Sequence, residues 1–384
     1  MLRIRRQASA TSGARLWAEI DLDAVRDNVR TLRSRLSSGC ELLAVVKANG
    51  YGHGAVPVAR AALEAGATGL AVADVVEAAR LREAGIGASV RIVGPTWPGD
   101  VGAIIRHRLL PAIADLDCAR ALARAARGPV AVEVEVDTGM RRHGVPASGV
   151  TAFLQRLREL PALRPVGLYT HFAGVGDADL AAMRAQWDAF QEVSRTLAAS
   201  GWNLKTHACN SLAMHLLPEA HADAVRVGGA LYGFRCGIRG DTGLRPVLRL
   251  CTSIVGLRTV QAGDRVGYAG AHRCTEPTRL ALLPCGYADG LSGSAWQGAE
   301  VLVRGRRAPV VGRVSMNQIT VDVGGLPRVE VGDEVVLLGA QGEERLRAEE
   351  RAAECVSPYE VTAMLRPELP RRYRGAMAAD DRGR

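Results

Sequence analysis

The stretch ELLAVVKANGYGHG (residues 41–54) combines an apolar run, a lysine and a cluster of glycines. An apolar run this short, bounded by glycines, predicts a buried strand. Similar runs recur down the chain, with helix-like segments between them, and this alternation predicts parallel strands joined by helices. The eight runs are ELLAVVKA, GLAVAD, SVRIVGP, LLPAI, PVAVEVEVD, PVGLYTHFA, KTHACN and AVRVGG.

Eight strands alternating with helices predict an α/β fold, a (β/α)8 TIM-type barrel over residues 14–246. An open doubly wound sheet is the alternative, but no G-x-G-x-x-G follows the first strand, which favours the barrel. Beyond residue 246, short Val- and Leu-rich runs separated by Gly, Asp and Pro predict a C-terminal all-β domain over residues 247–384. The last residues, AMAADDRGR (376–384), are predicted to be disordered.

The composition excludes several classes of protein. The net charge of +9 is spread along the chain, and basic runs interleaved with aromatics, which are typical of nucleic-acid binders, are missing. No apolar run reaches membrane-spanning length, and the first residues lack the apolar core of a signal peptide. The eight cysteines are scattered without a C-x-x-C pair, which argues against a metal site or disulfides and favours a cytoplasmic location.

Lys47 is one of two lysines among 49 basic residues. A guanidinium stays charged at ordinary pH, whereas a lysine amine can lose its proton and attack a carbonyl. Lys47 is therefore a candidate nucleophile. The alternative is a surface lysine without a chemical role. The other lysine, Lys205, lies in a polar approach to a strand and fits a surface position better.

Barrel enzymes build their active sites at the C-terminal ends of the strands. A histidine there can be a simple polar cap, and an arginine can be a surface charge. Five polar residues at five strand ends, however, would all face one mouth, which favours a functional site. They are Lys47, Arg142, His171, Ser211 and Arg226.

The loops after the seventh and eighth strands commonly bind phosphate in such barrels. Ser211 offers a hydroxyl there, and Gly228 and Gly229 let backbone N–H groups approach an anion. An amine nucleophile beside a phosphate cradle indicates pyridoxal phosphate, held by the lysine as a Schiff base. A Schiff-base aldolase shares these features and remains open at this point.

Nine motifs together resemble the alanine racemase family, in that family's order and over nearly the whole chain. The resemblance implies a barrel plus β-domain subunit, pyridoxal 5'-phosphate as cofactor, and a head-to-tail homodimer whose subunits share active sites. The motifs are AVVKANGYGHG, DTGMRRHG, THFA, ACNS, VRVGGALYG, VGYAGA, GYADG, GRVSMNQ and SPYEV.

The resemblance implies two catalytic bases on opposite faces of the substrate. Lys47 would be the Schiff-base lysine and one base, and Tyr268 of the partner subunit would be the other. One base removes the Cα proton and the other donates from the opposite face. A phenol has a reference pKa of about 10, so nearby cations would have to lower it.

By the same resemblance, Arg226 would face the pyridine nitrogen, with His171 hydrogen-bonded behind it. A guanidinium hardly gives up its proton, so the nitrogen would stay neutral and reprotonation at Cα would be favoured over transamination. The residues implied to bind the phosphate are Tyr51, Ser211, Tyr359 and the backbone at Gly228 and Gly229.

The substrate carboxylate would be bound by Arg142, with the backbone near Met316, and Tyr287 would line the entrance from the partner subunit. Two positions depart from the family. Glu135 replaces a lysine that is often carbamylated, and we expect its carboxylate to supply the same negative charge beside Arg142. Asn317 replaces an aspartate at the substrate entrance, which could alter substrate preference or inhibitor sensitivity.

The implied activity is the interconversion of L-alanine and D-alanine, for cell-wall precursors or for a specialised metabolite. A racemase preferring serine or lysine is an alternative, although the bulk of Tyr359 favours a small side chain. Arg226 argues against a related decarboxylase, which typically has a carboxylate at the ring nitrogen. The β-domain with Tyr268 argues against a non-catalytic pyridoxal phosphate carrier and against an aldolase.

Overall fold

The computed structural model describes residues 15–351 and 357–375. The polar start of the chain and the segment 376–384, for which the sequence predicts disorder, lie outside the described residues. The chain forms two compact units. In the described part, one unit comprises residues 21–247 and 373–375, and the other comprises residues 15–20 and 248–372.

The first ten strands of the described chain are β1 (Leu16–Asp21), β2 (Glu41–Val45), β3 (Gly69–Val72), β4 (Ser89–Ile92), β5 (Leu110–Ile113), β6 (Val130–Asp137), β7 (Val145–Pro146), β8 (Leu163–Tyr169), β9 (Lys205–His207) and β10 (Ala224–Val227). Within the described residues, eight of these strands (β2 to β6 and β8 to β10) are parallel and form a closed ring. Strand β5 pairs with β6, and β10 pairs with β2, which completes the closure. The predicted (β/α)8 barrel is therefore confirmed.

Helices connect the barrel strands, and several begin at a residue suited to capping. Asp21, Asp74, Asp115 and Asn210 each accept a hydrogen bond from a backbone N–H three residues along the chain. Buried apolar residues lie along these helices, such as Val25, Val29 and Leu32 of the first one. The helices are α1 (Leu22–Arg33), α2 (Lys47–Tyr51), α3 (Ala55–Glu64), α4 (Val75–Glu83), α5 (Val101–His107), α6 (Leu116–Ala125), α7 (Val150–Arg158), α8 (Leu180–Ala199) and α9 (Ser211–Leu216).

The second unit is rich in antiparallel strands, as the sequence predicts. Its strands are β11 (Leu248–Ser253), β12 (Gly256–Val260), β13 (Arg265–Val266), β14 (His272–Arg273), β15 (Thr278–Leu283), β16 (Glu300–Val303), β17 (Arg306–Val311), β18 (Ile319–Asp322), β19 (Glu334–Gln341), β20 (Glu344–Leu346) and β21 (Arg371–Arg374). The large sheet has the order β12-β15-β18-β17-β16-β19-β11-β1-β21, with β20 on β19, and β13 and β14 form a separate hairpin. Two short helices accompany them, α10 (Gly293–Trp296) and α11 (Pro358–Ala363).

Strand β1 differs from the predicted domain division, which assigned it to the barrel. It pairs antiparallel with β11, with Leu16 opposite Thr252 and Ile20 opposite Leu248. Its residues from Leu16 to Ile20 are buried in the sheet of the second unit. The start of the described chain therefore belongs to the β-rich unit.

Asn28 links helix α1 by hydrogen bonds to the chain segment that follows strand β10. Its side-chain amide donates to the carbonyl oxygens of Leu231 (3.1 Å) and Arg245 (2.8 Å) and accepts from the N–H of Arg245 (2.8 Å). The residue is fully buried. Removal of this amide would leave buried backbone groups without partners.

We expect Asn28→Ala to reduce the free energy of unfolding by about 1–3 kcal/mol. Denaturant unfolding, followed by circular dichroism, measures this change. Asn203→Ala is the matched control, because Asn203 is exposed. Equal midpoints for the two variants would contradict the role given to Asn28.

Candidate active site

Lys47 follows strand β2 at its C-terminal end, in an unusual turn of the backbone. Ala48, Asn49 and Gly50 all have left-handed conformations, with φ values of 52°, 52° and 63°. Such a run is costly for residues with side chains and persists only where surrounding contacts hold it. The Ala48 N–H donates to Glu77 (2.5 Å), and Asn49 Oδ1 accepts from the N–H of Ala55 (3.1 Å). These contacts fix the backbone that carries the lysine.

The pKa of the Lys47 amine is lowered from its usual value. Burial is the main cause, and the positive charges of Arg142 and Arg226 add to it, while Glu77 opposes them. A larger fraction of this amine is therefore neutral and nucleophilic at neutral pH than of a free lysine. Lys205 lies exposed at the start of β9, where it pairs with Glu41, as the sequence suggests for a surface lysine.

Arg226 is buried in strand β10, and its guanidinium is held by acceptors from two neighbouring strand ends. One terminal nitrogen donates to His207 Nδ1 (2.6 Å) and to the His207 carbonyl oxygen (3.1 Å). The other donates to the carbonyl oxygens of Thr170 (2.7 Å) and Ala208 (3.1 Å) and lies 3.2 Å from His171 Nδ1. Within the described residues the Nε–H has no hydrogen-bond acceptor, so this donor is available to a ligand.

His171 stands beside this guanidinium as a neutral ring. Burial, followed by the positive charges of Arg226, Arg142 and Lys47, lowers the pKa of His171 to about 3. Because Arg226 can only donate, Nδ1 of His171 must accept, and the ring proton is assigned to Nε2. The positive charges of Lys47, Arg142 and Arg226 thus all act on His171.

Ser211, Gly228 and Tyr51 converge at another part of the barrel mouth. Ser211 Oγ accepts hydrogen bonds from the N–H groups of Gly228 (3.0 Å) and Ala230 (3.2 Å). A Cβ on Gly228 would lie 2.4 Å from the Tyr51 hydroxyl oxygen, so a side chain there would displace Tyr51. Gly229 opens the single helical turn Gly229–Tyr232 that follows.

Tyr51 is anchored by aromatic packing. Its ring lies 4.9 Å from that of Tyr232, whose hydroxyl donates to the carbonyl oxygen of Val45 (3.0 Å). Burial, with a smaller effect of Cys236, raises the pKa of Tyr51 to about 12. The Tyr51 hydroxyl therefore keeps its proton at neutral pH and can donate a hydrogen bond to an anion.

Glu135 has other partners than the expected Arg142. Its carboxylate accepts from the Tyr169 hydroxyl (3.1 Å) and contacts His143 Nδ1 (2.6 Å). Tyr169 is its register partner on the neighbouring strand β8, so the two side chains meet across the sheet. Within the described residues, Arg142 makes no hydrogen bond to Glu135, and it is exposed.

The other predicted site residues lie in the β-rich unit, several of them on adjoining loops. Tyr287 donates its N–H to the Ser315 carbonyl (3.1 Å), and the next residue bonds the Met316 carbonyl (2.9 Å). Tyr268 begins a turn after Gly267. A Cβ built on Gly267 would lie 3.3 Å from the backbone nitrogen of Arg313, so the two loops run close together. The exposed residues are Tyr268, Tyr287, Met316 and Asn317, and Tyr359 lies half-buried on α11.

Tyr268 is 70% exposed and Tyr287 is 51% exposed. Contiguous patches of exposed apolar side chains often mark a place where a partner or a ligand binds, whereas single exposed residues are common. Sequence reasoning assigned no role to His207, Thr170 or Glu133, which contact the site residues or one another. The parallel register, which sets His207 opposite Ala224, is the signal that could have found His207 beside Arg226.

Two negative findings apply to the described part of the chain. It contains no helix that is long and apolar enough to cross a membrane. It also contains no cluster of His, Cys, Asp or Glu side chains that could hold a metal ion.

Comparison with known proteins identifies relatives over nearly the full length. The family model for the alanine racemase N-terminal domain matches residues 20–236, and the model for the C-terminal domain matches residues 247–373. The alanine racemase of Syntrophobacter fumaroxidans is 42% identical over 354 residues, covering 91% of this chain and 94% of the relative. That of Symbiobacterium thermophilum is 41% identical over 370 residues, covering 94% and 98%.

Solved structures agree with the sequence relatives. The alanine racemase from the D-cycloserine producer Streptomyces lavendulae has a TM-score of 0.89 at 37% identity, covering 96% of this chain and 99% of its own. The alanine racemase from Bacillus anthracis, with bound L-Ala-P, has a TM-score of 0.88 at 33% identity, covering 95% and 96%. The two family models and these relatives together show that this chain belongs to the alanine racemase family.

Proposed function

We propose that this protein is a pyridoxal 5'-phosphate-dependent alanine racemase that interconverts L-alanine and D-alanine. The observation that carries the proposal is the environment of Lys47, an amine with a lowered pKa at a barrel strand end, among arginines that cannot give up their protons. Membership of the alanine racemase family supports it independently. Serine or another small amino acid is the alternative substrate.

The residues of the barrel mouth fit the cofactor. Gly228 leaves free the space that a Cβ would take beside the Tyr51 hydroxyl, and the Ser211 hydroxyl lies within 3.2 Å of two backbone nitrogens. We assign the phosphate to these three residues, with Gly229 and with Tyr359. We assign the Arg226 Nε–H, which lacks an acceptor among the described residues, to the ring nitrogen.

The cofactor would supply an electron sink that makes the Cα proton of the amino acid removable. Lys47 would hold the cofactor through its amine and would take or return the Cα proton on one face. His171, bonded to Arg226, would keep that guanidinium in place. Arg226 would donate to the ring nitrogen without giving up its own proton, because a guanidinium stays charged.

The opposite base is assigned to Tyr268 of the partner subunit. A second base must approach the substrate from the other face, and the exposed Tyr268 and Tyr287 give the β-rich unit an aromatic surface suited to a partner. We therefore propose a homodimer with shared active sites. Arg142 would bind the substrate carboxylate through its forked donors, with the backbone at Met316.

Asn317, which lies exposed beside Met316, would line the substrate entrance with Tyr287. An amide in place of a carboxylate removes a negative charge there, so an anionic carboxylate meets less repulsion as it approaches.

We propose a cytoplasmic location, which the free thiols of the seven described cysteines fit. The D-alanine formed would serve cell-wall precursors or a specialised metabolite.

The first test is incubation of the protein with pyridoxal phosphate and L-alanine in deuterated water. We expect deuterium at Cα together with D-alanine, measured by mass spectrometry and chiral chromatography. Lys47→Ala should lose both signals, and Lys205→Ala, at an exposed ion pair, should keep them. Exchange of serine but not alanine would overturn the substrate assignment, and cofactor binding without any exchange would indicate a carrier.

Tyr268→Phe tests the two-base assignment. Removal of the phenol should reduce racemisation by about 10²–10⁴-fold, because it removes one acid–base group. Cofactor binding, followed by absorbance, should be retained, and Cα exchange without inversion should continue through Lys47. Trp97→Phe is the matched control at another exposed aromatic side chain, to which the proposal gives no role. Unchanged racemisation in Tyr268→Phe would refute this role.

The two lysines allow the lowered pKa of Lys47 to be measured directly. We expect its acylation rate in cofactor-free protein to reach a plateau at lower pH than the rate for a free lysine analogue. Peptide mass spectrometry separates Lys47 from Lys205 and from the terminal amine. A Lys47 profile that coincides with the free analogue would contradict the proposed electrostatic activation.

A further inference from the structure

A row of buried ionisable side chains leads from Arg226 into the barrel. Arg226 contacts His207 Nδ1 at 2.6 Å, and His207 Nε2 lies 3.3 Å from Glu133 Oε2. The other Glu133 oxygen accepts from Arg91 Nε at 3.0 Å. All four side chains are more than nine-tenths buried. The row extends beyond the residues that the proposed function assigns to substrate or cofactor.

The partners of His207 determine which of its nitrogens carries the proton. Arg226 has only donors, so Nδ1 of His207 must accept and cannot carry a proton. Burial lowers the pKa of His207, with Arg226 and Arg91 adding to the effect and Glu133 opposing it, so the ring is neutral at pH 7. The one ring proton then resides on Nε2, which faces the Glu133 carboxylate.

Glu133 is ionised in this position. Burial alone would raise the pKa of its carboxyl group, but the contacts with His207 and Arg91 outweigh burial and lower that pKa to about 2. Gly167, the register partner of Glu133 on β8, leaves the room that the carboxylate occupies, since a Cβ there would lie 2.8 Å from Oε1. The negative charge opposite Nε2 is thus a built feature of the barrel.

The plane of the imidazole is fixed as well. The Tyr169 ring stacks on His207 with 4.9 Å between centroids and 6° between planes. Tyr169 also donates to Glu135, which keeps its ring in place. His207 can therefore neither tilt nor turn freely, and its orientation is set by the ring that covers it and the charges at its two nitrogens.

We propose that Glu133 is a positioning residue for Arg226 and acts through His207. The carboxylate favours the His207 proton on Nε2, so Nδ1 remains an acceptor and holds one arm of the guanidinium. A flipped tautomer would direct an N–H at Arg226 and displace it. The consequence for the cofactor rests on the proposed function, whereas the tautomer of His207 does not.

A purely structural ion pair between Glu133 and Arg91 is the competing explanation. Replacing only Glu133 would leave the Arg91 charge buried without its partner, which can prevent folding. The double variant R91M/E133L removes both charges and keeps similar volume, so it should fold. It also removes the carboxylate charge that lies 3.3 Å from His207 Nε2.

The test is nitrogen-15 NMR of histidine-labelled full-length protein, without and with pyridoxal phosphate, together with cofactor titration by absorbance. A sample with His207→Asn assigns the signals. We expect a single Nε2–H tautomer of His207 in the unsubstituted protein and a mixture of tautomers in R91M/E133L. Cofactor affinity should fall about tenfold, the lower end of the effect of outer partners at metal sites.

Glu41→Gln is the matched control, because Glu41 lies 3.8 Å from Arg91 at the start of β2 and does not contact His207 in the described structure. It should leave the tautomer and the cofactor affinity unchanged. An unchanged Nε2–H tautomer in R91M/E133L would overturn the proposal. A mixed tautomer with unchanged cofactor affinity would overturn the link from His207 to Arg226. Failure of the unsubstituted protein to bind the cofactor would count against the proposed function alone.

Discussion

The buried guanidinium of Arg226 is the constraint around which the barrel mouth is organised. A guanidinium that is shielded from water must donate its hydrogen bonds to protein acceptors, because otherwise nothing offsets the free-energy cost of its desolvation. Its acceptors come from Thr170 and His171 after β8 and from His207 and Ala208 at the end of β9. One side chain on β10 thereby binds the ends of two neighbouring strands together. A shift of any of these strands would break several charge-assisted hydrogen bonds at once.

The backbone turn after β2 is likewise held in place by hydrogen bonds to a charged side chain. The consecutive residues from Ala48 to Gly52 all have positive φ, which would not form by local preference. Glu77 compensates by binding the N–H of Ala48 and that of Ala73 with its two oxygens (2.5 and 2.9 Å). The turn redirects the chain just after Lys47. The site thus combines a strained turn after β2, held by the Glu77 carboxylate, with the buried guanidinium of Arg226 on β10, held by several acceptors.

The sequence predicted the eight barrel strands because parallel strands covered on both faces read as continuous apolar runs. It could not assign β1, because LWAEID alternates in the same way in either domain and its partner begins at Leu248, far along the chain. The pairing of Glu135 was missed for a related reason. The resemblance to a family lysine that is often carbamylated suggested Arg142 as its partner, whereas the lateral register of the barrel brings Tyr169 to Glu135. Lateral neighbours are set by tertiary structure, which spacing along the chain does not reveal.

The strong arginine bias of the chain has a local consequence at the barrel mouth. Lys47 has two arginines, Arg142 and Arg226, among the charges that lower its pKa, and neither can share its proton. With a lysine at position 226, two amines would compete for protons and the charge would be divided between them. With guanidinium groups, only the Lys47 amine can become neutral. The same positive charges attract a phosphate or a carboxylate, so the features that activate the nucleophile also favour anionic ligands at this site.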